Sequence, residues 1–423
     1  MRHGRGRTAV AAVAVSSALA LASVLQAQPA AAEPYPYDFP DGTRTVEGAS
    51  GPGGAPLLAA EETYRSRIGP GQRLHYRVAL DGSSSAYVSA VVLPGLDEQV
   101  AYGDGLKVRL QNAQGGRCGT DSTSFGTADY PRPLVASVER VAGEAPASCR
   151  AAGTYTVVVE RADGGKAGSR APWDLELDFV NEPALKGPAP STEPEPDAPA
   201  AGPLPEGTAE ERQGGTSFHE AVAIGPGVWQ GRLEPGRTLF YKVPLDWGQR
   251  LVAGAELAGA GGSAPVSGAL RLGVHNPART EVAAGQRSSG GTRAAAAELD
   301  GLPAVAYENR LASAPEVRGM RFPGAYYLQI TLNPELAGAS GGGPREVVLR
   351  VGVEGAAEDG PAYDGDPGIF QVDAELGQGG GAGQGTGRDG GMQVVAAVGI
   401  GLGTALVLWL AVWAVVGRRR AEG

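Results

Sequence analysis

The sequence has 423 residues, enough for two domains of ordinary size, and its formal net charge is −10. Three arginines lie near each terminus, so the part between them is more acidic than the whole chain. This charge argues against nucleic acid as a partner and disfavours anionic lipids and polymers, because affinity for phosphate comes from lysine and arginine. We expect the acidic charge to serve mainly solubility.

The N-terminus has the pattern of a secretory signal peptide. Arg2, Arg5 and Arg7 precede an apolar run over 9–25 that only serines interrupt, and three alanines follow shortly afterwards. A basic start, a short apolar run and small residues at the cleavage position are typical of exported proteins. We predict a signal peptide over 1–32, the alternative being an uncleaved anchor.

The C-terminus predicts one transmembrane helix. Residues 392–417 contain no charged residue, and about 20 apolar residues span the hydrocarbon core of a bilayer. Arg418, Arg419 and Arg420 follow directly, and by the positive-inside rule they form a stop-transfer signal. We therefore predict a single-pass type I protein of the cell membrane, with extracellular N-terminal domains and a cytoplasmic tail over 418–423.

The predicted span also contains a helix-packing pattern. Gly399 and Gly403 are spaced as G-x-x-x-G, and small residues at this spacing let two membrane helices approach closely. The bilayer is thus one expected partner, and a second copy of the chain, paired through this helix, is another.

Two cysteines, Cys118 and Cys149, lie in the exported part. Outside the cell an even number of cysteines predicts a disulfide, which here closes a loop of about 30 residues. The chain-entropy model gives such a bond about 3–4 kcal/mol of stabilisation. The alternative, a redox or metal site, lacks both the CxxC spacing and neighbouring histidines.

Residues 33–60 are rich in proline, glycine and small polar residues, a composition that favours an arm without a core of its own. Tyr35, Tyr37 and Phe39 alternate along it with other residues. We expect this arm to be loosely docked, with its aromatic side chains lying across a sheet.

Two strand-rich segments follow the arm. Short alternating runs, separated by Gly and Pro turns, fill 61–181 and 217–356 and predict two β-sandwich domains. Residues 182–216 are rich in Pro and Glu, which favours an extended linker, and 357–391 form a Gly-rich stalk. Within the second segment, residues 292–298 have the composition of a short helix.

The two segments share three blocks of sequence in the same order. Residues 64–82 (YRSRIGPGQRLHYRVALDG) align without a gap with 229–247 (WQGRLEPGRTLFYKVPLDW). Further along, LKVRLQN and GTYTVVV in the first segment match LRLGVHN and GAYYLQI in the second. Matches in one order predict an internal duplication.

Strand alternation assigns side chains in the first block to two faces. In LHYRV, Leu74 and Tyr76 share the core face, whereas His75 is expected to point to solvent. By the same alternation Phe240 would be an exposed apolar spot on the second domain. Tyr155 and Tyr326, in the G-x-Y strands, are expected to pack in the core or at a corner of each sandwich.

The order of these blocks resembles the bacterial pre-peptidase C-terminal domain, a jelly-roll-like sandwich found beside secreted proteases and on cell surfaces. The resemblance rests on the P-G turn, the aromatic-Tyr strand (YRV, YKV) and the late G-x-Y strand. It implies a binding or accessory module. The acidic residue that this family often places before the aromatic is replaced by Leu74-His75-Tyr76, so no calcium role is carried over.

Residues that could perform chemistry are few and scattered. His75, His219 and His275 lie far apart without metal-ligand spacing. Ser340 lies in G-A-S-G-G, but a nucleophile elbow needs a preceding strand and a following helix, so we expect a loop. The YDGD run at 363–366 lacks the remaining ligands of a calcium loop. We expect no catalytic residue, no cofactor and no metal.

The sequence therefore predicts an all-β protein with two tandem jelly-roll-like sandwiches and one C-terminal transmembrane helix. The function that fits is non-enzymatic binding or scaffolding at the cell envelope, with an envelope protein or glycan as partner. The alternative is an accessory subunit of a membrane-bound or secreted protease or of a transport complex. A hydrolase with dispersed catalytic residues is a third, weaker hypothesis.

Overall fold

The computed structural model describes residues 33, 35–165, 168–192, 194, 200–257, 265–289, 295–340 and 343–372. Within these ranges no helix has the length and apolar character needed to cross a membrane. The predicted signal peptide over 1–32 lies outside the described residues, as do the span over 392–417 with Gly399 and Gly403, and the arginines at 418–420. These assignments stay predictions.

The first half of the described chain forms two five-stranded sheets that pack face to face. Outer sheet 1 has the strand order β2-β4-β9-β6-β7, and inner sheet 1 has the order β1-β3-β10-β5-β8. The strands are β1 (Arg44–Thr45), β2 (Leu57–Leu58), β3 (Glu62–Ile68), β4 (Arg73–Leu80), β5 (Ser85–Leu93), β6 (Gly105–Gln111), β7 (Arg117–Ser124), β8 (Leu134–Arg140), β9 (Gly153–Ala162) and β10 (Trp173–Glu182).

The second half repeats this arrangement strand for strand. Outer sheet 2 has the order β11-β13-β20-β15-β18, and inner sheet 2 has the order β12-β14-β19-β16-β17. Two short helices, α1 (Pro315–Arg318) and α2 (Leu336–Ser340), lie between strands. The strands are β11 (Glu210–Glu211), β12 (Val222–Ala223), β13 (Gly227–Leu233), β14 (Thr238–Leu245), β15 (Arg250–Leu257), β16 (Val266–His275), β17 (Glu281–Ser289), β18 (Ala295–Glu298), β19 (Gly324–Leu332) and β20 (Arg345–Glu354).

The β-sandwich architecture predicted from the sequence is confirmed. Leu74 and Tyr76 on β4 enter the core of the first sandwich, because successive side chains on a strand point to opposite faces. Leu239 and Tyr241 on β14 do the same in the second sandwich. The two halves also share one strand order, which is what an internal duplication would produce.

Residues 33–60, expected to form a loosely docked arm, are part of the first sandwich. They supply β1 and β2, which pair in parallel with β3 and β4 at one edge of each sheet. Gly48 lies so close to the core that a Cβ there would stand 2.7 Å from Leu74 Cβ and from Tyr76. Gly214 occupies the same place against Leu239 and Tyr241 in the second sandwich.

The described parts of the linker and stalk pack on the sandwiches. Leu204 lies over Gly254 on the solvent side of outer sheet 2, where a Cβ at Gly254 would come within 2.7 Å of it. Leu185 and Tyr363 form an isolated antiparallel bridge, so the start of the linker and the start of the stalk run together. The first part of the predicted Gly-rich stalk, up to residue 372, is therefore docked on the sandwiches.

One secondary-structure prediction is wrong. Within the expected helix over 292–298, the described residues Ala295–Glu298 form β18, which pairs with β15. Ala295 and Ala297 are buried in the core and their neighbours are exposed, so burial in a sheet outweighs the helix propensity of alanine. Ser340, expected in a loop, is the last residue of the short helix α2.

Candidate functional site

The inner sheets of the two sandwiches pack against each other, which makes a stack of four layers. Phe240 on β14 is completely buried at this junction, against Phe218 and Tyr37. The expectation that Phe240 would be exposed is wrong, because the face opposite the core of its sheet is covered by the other sandwich. Tyr35, in the predicted arm, reaches across the junction and hydrogen-bonds the Thr238 hydroxyl at 2.7 Å.

A buried ion cluster joins the sandwiches at the centre of this junction. Arg279, between β16 and β17, donates to the Glu176 carboxylate on β10 at 2.6 Å and lies 3.6 Å from Asp178. The Tyr37 hydroxyl donates to the same Glu176 carboxylate at 2.9 Å. Burial raises the pKa of Glu176, although Arg279 opposes this shift. Removing one partner from such a cluster would leave an uncompensated charge away from water.

A second cluster lies at one end of the junction. Tyr87 and Tyr363 both donate to the Glu182 carboxylate, at 2.6 and 2.9 Å. Burial raises the pKa of Glu182, and the hydrogen bond from Tyr87 opposes the rise. Arg321 lies over the rings of Tyr87 and Phe322, at 5.2 and 4.9 Å from their centroids. The two clusters and the apolar contacts fix one sandwich on the other.

An open cleft of about 540 Å³ lies beside this junction and is bounded by both sandwiches. One wall comes from β7, β8 and the turn after β8, and the other from the start of β17 and from α1. Hydroxyl groups and charged side chains predominate in its lining. We call it the inter-sandwich cleft.

Ion pairs cross the cleft from one sandwich to the other. Glu139 on β8 pairs with Arg321, whose side chain is 5% exposed, and Glu144 pairs with Arg310 at 2.7 Å. Burial would lower the pKa of Arg321, but Glu139 raises it above the ordinary arginine value, so the guanidinium stays charged. The Ser137 and Thr280 hydroxyls also meet across the cleft at 2.7 Å. The lining thus consists of hydroxyl and charged groups, several of which are paired across the cleft.

The predicted disulfide is confirmed and lies in the cleft wall. Cys118 on β7 bonds Cys149, which precedes β9, with an S–S distance of 2.05 Å. The Tyr155 hydroxyl donates to the Cys149 carbonyl at 2.8 Å, and Tyr326 in the second sandwich donates to the Phe322 carbonyl at 2.9 Å. The expectation that both tyrosines pack is therefore correct. The disulfide and Tyr155 together hold the turn that closes one end of the cleft.

The remaining residues singled out in the sequence are not brought together. His75 is half-buried with Nδ1 3.2 Å from the Ala49 carbonyl, and His219 is exposed. His275 is buried beside Gln329, and burial lowers its pKa. Tyr363 of the YDGD run serves the junction. No group of three metal-ligating side chains occurs in the part of the chain that the structure describes.

Sequence reasoning missed the residues that make the junction. Nothing in the sequence singles out Glu176 or Arg279, because their partners are distant in the chain. A comparison of the two repeats could have revealed the junction. The positions of His75 and Thr156 in the first copy are occupied by Phe240 and Tyr327 in the second. Apolar replacements on a nominally exposed face indicate that the face is covered.

No protein-family model matches the sequence, and no curated protein matches it at a significant level. Among solved structures, arabinose-bound MgGH51 α-L-arabinofuranosidase shares 12% identity over 27% of this chain and 18% of that chain, with a TM-score of 0.19. A triple jelly-roll turret protein of an archaeal virus shares 10% identity over 72% of this chain and 61% of that chain, with a TM-score of 0.17. The tandem CBM22-1–CBM22-2 domain of Paenibacillus barcinonensis Xyn10C shares 9% identity over 71% of this chain and 88% of that chain, with a TM-score of 0.18. TM-scores this low support no inference about what the chain binds.

Proposed function

We propose that the protein is a non-enzymatic binding protein of the cell envelope, and that the inter-sandwich cleft holds its ligand. The observation that carries this proposal is the ion pair between Glu139 and Arg321 across the cleft, beside a fully buried junction. A site bounded by two rigidly joined bodies is preformed, and a preformed site loses less entropy when it binds.

The lining favours a polar ligand. Thr120, Thr123, Ser137 and Thr280 contribute hydroxyls, and Asp121 accepts from the Ser137 backbone N–H at 2.9 Å. Hydroxyl-rich and charged linings suit a glycan or a polar protein segment, whereas drug-like apolar ligands need hydrophobic walls. The resemblance of the repeats to pre-peptidase C-terminal domains agrees with a binding module.

The predicted signal peptide and C-terminal span support a location on the outer side of the membrane, with the sandwiches carried by one helix. A second candidate function is that of an accessory subunit of a protease or transport complex. The docked segment up to residue 372 favours it, because it ties the start of the predicted stalk to the sandwiches. In that case the span itself would contact partners.

Site-specific photo-crosslinking on intact cells of the source organism would test the cleft. A photoreactive residue placed at Arg318, in the cleft wall, should capture a defined partner or glycan. The same residue at Arg232, an exposed position on outer sheet 2, is the matched control. Equal capture at both positions, or none at Arg318, would overturn the cleft as the binding site.

Replacing residues 392–417 by an unrelated transmembrane helix separates the two candidate functions. If the partner captured at Arg318 is kept after the exchange, recognition belongs to the sandwiches, as a binding protein requires. If capture is lost while the protein still reaches the cell surface, the accessory-subunit function is the better description.

A further inference from the structure

The solvent face of outer sheet 1 is cationic, in contrast to the chain as a whole. Arg73 and Arg77 on β4, with Lys107 and Arg109 on β6, occupy outward positions and are exposed or half-exposed. Glu160 on β9 is the one carboxylate at the outward positions of the five strands of this sheet. We call this surface the cationic face.

Solubility alone does not account for such a face. The chain has 46 acidic and 36 basic side chains, so an ordinary polar surface would carry more carboxylates than cations. Glu160 pairs with both Arg73 and Arg109, at 3.0 Å from Arg73. In the described chain neither Arg77 nor Lys107 is paired with a carboxylate. An excess of positive charge is therefore left toward solvent.

The second copy keeps two of the four cations and lacks the other two. The equivalents of Arg77 and Lys107 are Lys242 and Arg271. The equivalents of Arg73 and Arg109 are Thr238 and Gly273, on the face of inner sheet 2 that the first sandwich covers. The cationic face is the one solvent-facing equivalent of that surface. Arg73 and Arg109 are therefore cations of the first copy alone, on the copy of this surface that faces solvent.

The spacing of the cations suits a linear anionic chain. Arg73 and Arg77 stand four positions apart on β4, and Lys107 and Arg109 two positions apart on β6, with β9 between them. Outward neighbours along a strand are about 6.6–6.8 Å apart and adjacent strands about 4.8 Å, which gives a grid of charges over the sheet. A polymer with an anion on each successive unit can neutralise several of them at once.

Hydroxyl groups favour a polysaccharide over the other polyanions. Thr120, Ser122 and Ser124 on β7 and Thr154 and Thr156 on β9 share the outward positions with the cations. Leu57 is the large apolar side chain exposed on this face. Protein interfaces are enriched in aromatic residues, and the outward positions of these five strands carry no Phe, Tyr or Trp, so a protein partner fits this face less well. Peripheral membrane surfaces likewise insert apolar side chains beside their cations.

We propose that the cationic face binds an anionic polysaccharide with regularly spaced carboxylates. This inference rests on the proposed role as an envelope binding protein and adds a second surface. That surface shares the edge strand β7 with the inter-sandwich cleft, but its four cations do not line the cleft. The overall acidic charge, which argues against polyanions, does not describe this face. Attraction between exposed charges is screened by salt, so binding should weaken as ionic strength rises.

Binding of alginate to the full chain in phosphatidylcholine nanodiscs, measured by biolayer interferometry, would test this inference. The double variant Arg77→Gln/Lys107→Gln removes the two cations without carboxylate partners and should raise the Kd about tenfold. Thr156→Glu keeps every cation but places an anion between them, and it should weaken binding as well. The variant Arg232→Gln/Arg287→Gln has the same net charge as the first one and should change the Kd less than about twofold.

The inference would be overturned if alginate did not bind at low salt, or if the two double variants weakened binding equally. It would also be overturned if neutral dextran, poly-L-glutamate or phosphatidylglycerol vesicles bound as tightly as alginate. Photo-crosslinking at Arg318 reports on the cleft alone. Loss of alginate binding with capture at Arg318 retained would overturn this inference and leave the proposed function standing. If nothing is captured at Arg318 but alginate still binds, the cleft is overturned as the binding site and the cationic face stands.

Discussion

His75 and Phe240 occupy the same position in the two sandwiches, but one is half-buried at the surface and the other is completely buried. Each lies in the third position of its strand and each forms an isolated bridge, His75 with Ala49 and Phe240 with Gly215. The backbone context is therefore the same in both copies. What differs is the second layer, because inner sheet 1 covers Phe240, whereas no sheet in the described part of the chain covers His75.

This pair gives a direct test of the junction. Phe240→Ala should lower the free energy of unfolding by about 3–5 kcal/mol, as expected when a buried aromatic side chain is deleted. His75→Ala, at the equivalent position, should cost less than about 1 kcal/mol. Urea denaturation of both variants measures the difference. Similar losses in the two variants would show that the sandwiches do not depend on this contact.

The fold of each sandwich could be predicted because alternation is a local property. Leu74 and Tyr76 were assigned to the core from the sequence, and the structure buries both. Alternation states that two faces differ, but it does not state what covers the second face. The expectation for Phe240 was therefore wrong, and alternation alone does not show that Glu176 is covered, although its side chain is 1% exposed.

The candidate site was less accessible to sequence reasoning than the fold. In the inter-sandwich cleft Arg321 meets Glu139, and 182 residues separate them in the chain. No local pattern marks either residue as a member of a site. The cysteine pair was predictable because export and an even cysteine count suffice to infer the bond. Strands of two residues, such as β1 and β2, are too short for alternation to reveal.

The buried ion cluster predicts a pH-dependent loss of stability. Arg279→Met should lower the free energy of unfolding by about 3–5 kcal/mol at neutral pH, because Glu176 and Asp178 lose their cation. Burial already raises the pKa of Glu176, and loss of Arg279 removes the charge that opposes this rise. The folded state then holds a proton more tightly than the unfolded state, so stability falls as pH rises through the raised pKa. Acidification to about pH 5 should recover part of the loss.

The double variant Glu176→Gln/Arg279→Met is the control for this effect. It removes the titrating carboxylate, so its stability relative to that of the wild type should lack the recovery on acidification seen for Arg279→Met. Thermal unfolding of the three proteins across this pH range measures the difference. An equal loss for Arg279→Met at both ends of the range would contradict the assignment to Glu176.

The hydroxyl of Tyr363 should hold the docked stalk segment in place. Tyr363→Phe removes one of the two tyrosine hydrogen bonds to the Glu182 carboxylate. Hydrogen bonds to charged groups contribute about 1.5–3 kcal/mol, so opening of this segment should become about tenfold or more easier. Hydrogen exchange of the Asp364 amide, which donates to the Ala184 carbonyl at 2.6 Å, reports that opening. Tyr307→Phe, which leaves both bonds to Glu182 intact, should leave the exchange rate unchanged.

The disulfide should stabilise both the first sandwich and the cleft wall. Cys118→Ala/Cys149→Ala opens a loop with a sequence separation of 31 residues. The chain-entropy model then predicts a free energy of unfolding about 3–4 kcal/mol lower. Because Cys118 lines the cleft, photo-crosslinking from Arg318 should also become less specific in this variant. Dithiothreitol should destabilise the wild type to the level of the variant and leave the variant unaffected. A variant as stable as the oxidised wild type would show that the turn before β9 is held by Tyr155 without help from the bond.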